Sequence, residues 1–421
     1  MSTPAPLYLD TADAVDHFLA GLSDVRAIAL DTEGASFHRF VDRVYLLQLS
    51  TDQHEAIIDP LPIGIPARLG ALLEDRDVEV ILHDADYDLR LLHQDYGWRV
   101  TRLFDTRVAA QLLGLRSFGL AALLEQYFGV KLDKKHQRAD WSMRPLPADM
   151  LDYAAQDTRY LLSLRDTLRL QLEQKGRWHW AEEEFRRAEG TRWEDEAENT
   201  AYLRMKGARD LTRRELGRLR ELAKWRDAIA ADLDRATFRV AGNEVLLDLS
   251  RVAPTNREGL FAVKGFPRGM SDVRAQEALQ AIARGNDIAD EDLPRFAKTQ
   301  RWDRDPDFDE RVARLKSVRD RMAVEFDLDP GVLCSRDRME AVARRNPRTV
   351  EELLEIPELR RWQGEVLGAA FVKALASSAV SGAAPVPTAA PTPTVPTTAF
   401  SQSPKASGTS ISTGPESPYR E

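Results

Sequence analysis

A chain of 421 residues is longer than one compact domain usually is, so we expect it to form two or three domains. Hydrophobic residues make up 43% and charged residues 30%, as in a globular protein, and no apolar run reaches the ~20 residues needed to cross a bilayer. The net charge of −9 argues against a basic coat protein for nucleic acid, although a local basic surface can still bind phosphates.

The N-terminus and the cysteine content predict a cytoplasmic protein. Residues 1–6 lack the basic and apolar stretches of a secretory signal. Cys334 is the single cysteine, so an intrachain disulfide and a thiolate zinc site are both excluded, which agrees with a reducing compartment. We expect Cys334 to serve packing rather than chemistry.

The first ~180 residues alternate β-rich runs with helical patterns and predict an α/β domain. Four segments have the composition of strands: residues 26–31, 44–49, 54–58 and 78–82. Apolar residues recur at helical spacing in residues 87–93, 105–113 and 150–170. Three successive strands followed by alternating helices and strands are compatible with a ribonuclease-H-like fold.

The chain after a charged helical segment at residues 178–200 is all-helical in pattern. Leucines at spacings of three and four mark residues 211–233, and the pattern returns at 272–284. A second block at 308–376 repeats this layout, so we expect two small helical domains in tandem. From Ser377 onward Ala, Pro, Ser, Thr and Gly dominate, which predicts a disordered tail.

Four carboxylates and a tyrosine occupy positions from which they can converge. Asp31 and Glu33 end the first predicted strand, where alternate side chains point to the same side of the sheet. Asp88 begins the helix after the fourth strand, and Tyr153 and Asp157 share one helical face. Two divalent ions ~4 Å apart stabilise both oxygens of a phosphodiester displacement, and they prefer oxygen ligands. Without metal the carboxylates would repel one another, so we interpret the cluster as a metal site.

The order and spacing of Asp31-x-Glu33, Asp88 and Tyr153-x-x-x-Asp157 resemble the DEDDy exonucleases, in the ribonuclease D family. The resemblance implies a 3′→5′ exonuclease domain in which the four carboxylates bind two divalent ions, Mg²⁺ or Mn²⁺. It also implies that the tyrosine orients or helps deprotonate the attacking water. Each motif alone is common, so their joint occurrence in this order carries the interpretation.

Further segments resemble the same family. Residues 105–107 and 136–146 are similar to stretches of ribonuclease D relatives, and residues 211–227 resemble the first helix of the HRDC domain, the helicase-and-ribonuclease-D C-terminal module. The second helical block resembles another, diverged HRDC module. We therefore expect an exonuclease domain at 1–180, a helical connector at 181–205, an HRDC domain at 206–290, an HRDC-like domain at 305–378 and the disordered tail at 379–421.

Basic side chains before the last motif are candidates for RNA contact. Four of them could reach phosphate: Lys134, Lys135, Arg138 and Arg144. Trp141, in the same stretch, is expected to pack rather than stack on a base. Residues 211–285 hold 14 Lys or Arg against 10 Asp or Glu, so phosphate binding by the first helical module stays open beside a purely structural role.

Some neighbours of the motifs have more ordinary interpretations. His83, five residues before the third carboxylate, is expected to be a hydrogen-bonded structural residue, and Asp84 and Asp86 are expected to face solvent or cap the helix. Many ribonuclease D sequences carry an aromatic directly after the acidic pair, whereas this chain has Gly34 there and Phe37 three residues later. Recognition of the terminal base should therefore differ in this chain.

These expectations lead to one hypothesis and two alternatives. The leading hypothesis is an exoribonuclease that acts on RNA with a free 3′ end, and the family resemblance implies structured substrates such as transfer-RNA precursors. A 3′→5′ DNA exonuclease stays open because carboxylates do not read the 2′-hydroxyl. A non-catalytic nucleic-acid-binding scaffold is the third interpretation, and the intact set of site residues argues against it.

Overall fold

A mixed sheet organises the N-terminal part of the computed structural model, which describes residues 6–133, 135–194, 200–296 and 305–377. Within these residues the strands are β1 (Leu7–Leu9), β2 (Ala27–Glu33), β3 (Leu46–Ser50), β4 (Glu55–Ile58), β5 (Glu79–Leu82) and β6 (Leu103–Asp105). Their order across the sheet is β1-β4-β3-β2-β5-β6. Strand β3 runs antiparallel to β2 and β4, and the other pairs are parallel.

The α/β prediction for the first domain is confirmed, and the four predicted strands correspond to β2, β3, β4 and β5. The sequence does not reveal β1 and β6, because three residues are too few to show an alternating pattern. Both lie at the edges of the sheet, where they extend a core that the longer strands already define.

Strand β2 extends beyond its neighbour β5. It pairs with β3 over residues 29–33 but with β5 only over residues 27–29. The last residues of β2 therefore have one backbone edge without a strand partner. This edge carries the candidate active site.

Helices accompany the sheet throughout the described part of the first domain. They are α1 (Ala12–Ala20), α2 (Pro60–Ile63), α3 (Ala67–Glu74), α4 (Asp86–Tyr96), α5 (Thr106–Leu112), α6 (Leu120–Phe128), α7 (Ala148–Arg159), α8 (Leu161–Gln174) and α9 (Trp178–Ala188). The helical pattern of residues 150–170 forms two helices, α7 and α8, with a break at Tyr160. The break allows α7 to contact β3 and β4 while α8 contacts β5 and α5.

All-helical structure follows, as the sequence predicts. Two short 3₁₀ turns (Ala201–Arg204 and Ala208–Asp210) lead into α10 (Arg213–Asp232), α11 (Thr237–Val240), α12 (Asn243–Val252), α13 (Arg257–Ala262) and α14 (Asp272–Asp287). The second block contains α15 (Phe308–Glu325), α16 (Pro330–Leu333), α17 (Arg336–Arg345), α18 (Val350–Leu354) and α19 (Arg361–Ala376). Reciprocal hydrogen bonds between Thr212 and Glu215 form a capping box that starts α10. The predicted tail at 379–421 lies outside the described residues.

The two helical blocks are built around different hydrophobic cores. The first block has a core of its own, which includes Leu219 and Leu246. The second block shares one continuous core with the sheet domain. In that core Trp362 stacks on Trp180, with ring centroids 4.7 Å apart and planes 19° apart. Cys334 is fully buried in the same core, in agreement with the expected packing role.

No helix in the described ranges has the length and apolarity that a membrane span needs. The longest helix, α10, carries charged side chains along its whole length.

Candidate active site

Three carboxylates meet at the end of β2. Asp31, Glu33 and Asp157 each place one oxygen within 4.8 Å of the other two. Asp31 and Glu33 reach the same face because side chains alternate along a strand, and Asp157 reaches it from α7. The structure thus brings together three of the four carboxylates that the sequence singled out.

Two polar contacts fix the C-terminal end of α7 to the sheet. The hydroxyl groups of Ser50 on β3 and Thr158 on α7 lie 2.7 Å apart in a buried hydrogen bond. Arg159 donates to both carboxylate oxygens of Glu55 on β4 at 2.6 to 2.9 Å. These contacts immediately follow Asp157 and hold its side chain at the end of β2.

Asp88, the fourth carboxylate, lies beside this group and is bound to β2 itself. One of its oxygens accepts hydrogen bonds from the backbone N–H of Thr32 at 3.0 Å and from the Thr32 hydroxyl at 2.6 Å. Strand β5 no longer pairs with β2 at this point, so the carboxylate from α4 replaces a strand partner. Asp88 is buried, and its negative charge contributes to the raised pKa of Asp31.

Burial raises the pKa values of all four carboxyl groups, and repulsion by other carboxylates of the group adds to the effect for Asp31, Glu33 and Asp157. Burial is the largest cause in each case, and it raises the pKa of Asp88 and of Asp157 to about 7. The pKa values of Asp31 and Glu33 lie well above their ordinary range for the same reason, with the charges of the neighbouring carboxylates adding to it. A cluster of oxygen ligands whose charges oppose one another fits a hard divalent cation such as Mg²⁺ or Mn²⁺, which would relieve the repulsion.

Tyr153 lies one helical turn before Asp157 on α7. Burial, followed by the negative charges of the three clustered carboxylates, raises the pKa of its phenol. The hydroxyl therefore stays protonated at neutral pH. His136 approaches the ring edge-on at 5.7 Å, and Trp141 packs against it at 6.1 Å. Trp141 is 1% exposed, which confirms the packing role expected for it.

Comparison with known proteins gives the family. A family model for a 3′-5′ exonuclease matches residues 6–173, and a model for the HRDC domain matches residues 215–282 and 308–375. Ribonuclease D of Haemophilus influenzae is 32% identical over 333 residues, which cover 78% of this chain and 79% of that protein. The chain belongs to the ribonuclease D family.

Other members of the ribonuclease D family resemble the chain over most of its length. The Gluconacetobacter diazotrophicus ribonuclease D is 28% identical over 369 residues, covering 87% of this chain and 91% of that protein. The crystal structure of Escherichia coli ribonuclease D covers 88% of this chain and 98% of its own, with 27% identity and a TM-score of 0.67. The predicted family, fold class and enzyme class are confirmed: the chain is a 3′→5′ exoribonuclease of a divalent-metal-dependent family, with an α/β domain followed by helical HRDC domains.

In this member of the ribonuclease D family, His83, Asp84 and Asp86 contact other protein side chains rather than the carboxylate cluster. His83 Nδ1 lies 2.8 Å from the hydroxyl oxygen of Thr106, and burial lowers the pKa of His83 to about 4, so its ring is neutral. Asp84 and Asp86 form ion pairs with nearby arginines at the surface. These contacts agree with the ordinary roles expected from the sequence.

Two contacts at the site were missed by the sequence analysis. The Thr32 hydroxyl fixes Asp88, although Thr32 is merely the variable position of the first motif. The Tyr87 hydroxyl donates a hydrogen bond to the Asp42 carboxylate at 2.6 Å. This hydroxyl lies so close to Gly34 that a Cβ added to the glycine would be 2.0 Å from the tyrosine oxygen. A ring from α4 therefore covers the position after the acidic pair. The available signal was a glycine at that position together with a tyrosine directly before Asp88.

Arg144, one of the predicted RNA contacts, is engaged by the protein itself. All five of its N–H groups donate to protein acceptors: the carboxylate of Asp59 and three backbone carbonyl oxygens. No N–H group is left for a phosphate. The structure thus assigns Arg144 to the scaffold that precedes α7.

The other basic candidates lie nearer to solvent. Lys135 pairs with Asp149 at 2.6 Å, and both side chains are exposed, so this pair contributes little stability. The exposed guanidinium of Arg138 lies over the ring of Phe37. Lys134 lies outside the described residues.

Proposed function

We propose that the chain removes nucleotides from the 3′ end of RNA by metal-assisted hydrolysis. The proposed active site consists of Asp31, Glu33, Asp88, Tyr153 and Asp157. One observation carries this proposal: three carboxylates from β2 and α7 converge within 4.8 Å of one another. The neighbouring Asp88 and Tyr153 complete a set of side chains that suits the hydrolysis of a phosphodiester.

The metal ligands of the proposal are the four carboxylates. Asp31, Glu33 and Asp157 would hold one divalent ion, and Asp88 would help Asp31 to hold a second. The bound ions would supply a nucleophilic water and stabilise the charge on the attacking and leaving oxygens. Thr32 keeps the Asp88 carboxylate in position for this task through its two hydrogen bonds.

Tyr153 acts on the attacking water in this proposal. Because its phenol stays protonated beside the carboxylates, the hydroxyl can hydrogen-bond to that water and orient it toward the scissile phosphate. The rings of His136 and Trp141 restrict the orientation of the tyrosine ring. Orientation of the nucleophile is worth a large part of a hydrolytic rate enhancement.

Structured RNA, such as transfer-RNA precursors, is the proposed substrate in the cytoplasm. The support is a relative: the Escherichia coli ribonuclease D structure is described as that of an exoribonuclease involved in structured RNA processing. The excess of Lys and Arg in residues 211–285 also favours RNA binding by the first helical block. We propose domain limits of 1–180 for the exonuclease, 181–205 for the connector, and 206–290 and 305–378 for the HRDC domains.

A time course on 5′-labelled single-stranded RNA and on the matching DNA tests the proposed function. We expect a ladder that shortens from the 3′ end of RNA with Mg²⁺ or Mn²⁺ and disappears with chelator. Faster shortening of DNA would favour the 3′→5′ DNA exonuclease. Binding without cleavage under every metal condition would favour the scaffold and would overturn the proposal.

The Asp157→Asn variant tests the site assignment. Removing one carboxylate from the cluster should reduce turnover roughly a thousandfold, because metal assistance is worth several kcal/mol of the barrier. Asp152→Asn is the matched control, since Asp152 is exposed on the same helix and the chemical change is identical. Turnover of Asp157→Asn at the level of Asp152→Asn would show that Asp157 is no metal ligand.

A further inference from the structure

The loop that follows β2 contacts the first helical block through several polar interactions. The backbone oxygen of His38 accepts from the N–H of Ala236 at 3.3 Å, and the backbone oxygen of Phe37 accepts from the Arg239 guanidinium. Arg39 of the loop pairs with Asp234 at 3.2 Å. Residues 37–40 of the exonuclease and residues 234–239 of the helical block therefore form a defined junction.

Two phenylalanine side chains meet at this junction and remain exposed. Phe37 is 45% exposed and Phe238 is 52% exposed, although their ring centroids are 6.3 Å apart at an interplanar angle of 75°. Large apolar side chains at a contact between two helical or sheet modules are usually covered. Here each element contributes one phenylalanine whose ring is still open to solvent.

Arg138, for which the described residues show no acidic partner, lies over the ring of Phe37. The guanidinium carbon of Arg138 is 5.4 Å from the centroid of the Phe37 ring. Within the described ranges, no acceptor engages the guanidinium of Arg138, so its N–H groups face solvent. Its backbone oxygen is held by His38 Nε2 at 2.9 Å, which fixes the arginine next to the loop.

The position of these residues along the chain ties them to the candidate active site. Phe37 comes four residues after Glu33, the last residue of β2. Arg138 belongs to the segment that leads into α7, and that segment is bound to the same loop by a 2.6 Å hydrogen bond from Arg39 to Ser142. The loop that carries Phe37 and the segment that carries Arg138 are thus joined directly to β2 and α7, the two elements that supply the clustered carboxylates.

We propose that Phe37, Phe238 and Arg138 form a binding site, the junction site, for one unstacked nucleotide of the RNA strand that leads to the active site. The base contacts the exposed ring area, and the guanidinium binds the adjacent phosphate. Exposed aromatic rings combined with arginine are how proteins hold single strands without reading their sequence. The junction site rests on the proposed function, because it places the strand for 3′-end hydrolysis.

Charge at the junction agrees with a nucleic-acid ligand. Three arginines of the junction, Arg39, Arg138 and Arg239, face two carboxylates, those of Asp140 and Asp234, and Arg39 forms an ion pair with both, at 3.7 and 3.2 Å. Among these described residues the guanidinium of Arg239 is engaged by neutral acceptors of the loop, whereas that of Arg138 lies over the Phe37 ring and stays available to a phosphate. A polyanion with flat bases satisfies both the cation and the rings.

An abasic scan of the ligand tests the junction site directly. Single-stranded RNA of about 12 nucleotides, a length within the range of single-strand binding sites, is labelled and titrated with the full chain in the presence of chelator. One abasic nucleotide is moved stepwise from the 3′ end. For the parent protein we expect one position at which the abasic nucleotide raises Kd about tenfold. In Phe238→Leu the abasic nucleotide at that position should leave Kd unchanged. Identical scans for both proteins would overturn the proposal.

Conservative variants of Phe238 separate stacking from packing. Phe238→Leu keeps apolar volume at the junction but removes the aromatic face, so its Kd for RNA should rise about tenfold. The Kd of Phe238→Trp should stay within about twofold of the parent value. Val273→Ala, a change at a 70% exposed residue of the same block, is the control. Equal affinity of the Leu and Trp variants would refute a stacking role.

Salt dependence tests the phosphate contact. Removing one phosphate contact should lower the slope of log Kd against log salt by about 0.7, so we expect this change in Arg138→Gln and not in Arg138→Lys. An unchanged slope in Arg138→Gln would refute the phosphate contact. Because these titrations are made with chelator, they do not depend on hydrolysis. A chain that shows them but never shortens RNA would refute the proposed function and leave the junction site standing.

Discussion

The Asp88 side chain accepts a backbone hydrogen bond of β2 that a neighbouring strand would otherwise accept. Burial raises its pKa, while the two hydrogen bonds from Thr32 favour its ionised form and act in the opposite direction. The result is a carboxyl group with a pKa of about 7, poised to ionise when a cation arrives. Its position depends on β2 extending past β5.

In the metal-free protein, the free energy of unfolding should fall as the pH rises from about 4 to about 7. The folded-state pKa values of Asp88 and Asp157 are about 7, whereas both groups titrate near 4 in an unfolded chain. In this window the folded state binds more protons than the unfolded state, so their contribution is complete below the window and lost above it. Mg²⁺ should restore the loss, because it binds the ionised carboxylates.

Thermal unfolding with chelator and with excess Mg²⁺ measures this effect. The increase in Tm caused by Mg²⁺ should be larger at about pH 8 than at about pH 5. Asp157→Asn should show a smaller difference between the two pH values, since one of the repelling charges is gone. A Mg²⁺ effect independent of pH would contradict the account of the cluster.

Gly34 is the residue at which a single added carbon should do most harm to the site. In Gly34→Ala the new Cβ would lie 2.0 Å from the Tyr87 oxygen and 2.6 Å from Asp42 Oδ1, so these side chains must move. We expect a loss of about 1–3 kcal/mol in the free energy of unfolding. Tyr87→Phe removes the nearer oxygen and should recover part of that loss, which chemical denaturation of the single and double variants would measure. Additive effects would show that the clash lies elsewhere.

At the scale of elements, sequence patterns identified the strands, helices and site residues that local spacing defines. They missed the contacts that join residues far apart in the sequence. Alternation identified β2, and the four-residue spacing on α7 identified Tyr153 with Asp157. The three-residue strands at the sheet edges gave no pattern. The same limit explains Arg144: its charge suggested phosphate, but its acceptors include Asp59, which lies 85 residues away in the sequence. Thr32 was missed for the same reason.

The contact between α9 and α19 should be the most sensitive point of the second helical block. Trp362 is 1% exposed and stacks on Trp180, and its indole N–H donates to Glu184 at 2.9 Å. Trp362→Ala should lower the free energy of unfolding by about 3–5 kcal/mol. RNA hydrolysis below the new Tm should persist, because the carboxylates lie on other elements.

Differential scanning calorimetry of Trp362→Ala compares this loss with a control on the same block. Val324→Ala changes a side chain that is 83% exposed and should leave the Tm close to that of the parent. A Trp362→Ala transition at the parent Tm would show that the shared core does not stabilise the exonuclease.

On the scale of the whole molecule, the two HRDC modules attach in different ways. The first keeps its own core and touches the exonuclease loop after β2 through hydrogen bonds and exposed rings. The second merges its core with that of the sheet domain. The second module therefore contributes directly to the hydrophobic core of the nuclease, whereas the first does not.

The shared core also has a consequence for synthesis on the ribosome. Glu184 pairs with Arg360 across 176 residues of sequence, so the face of α9 that carries Trp180 stays uncovered until the C-terminal module has been translated. An N-terminal domain that emerges first would normally finish folding first. Here we expect the nuclease core to be completed only after the second helical block has been translated, so a nascent chain that stalls before Arg361–Ala376 should leave the apolar face of α9 exposed.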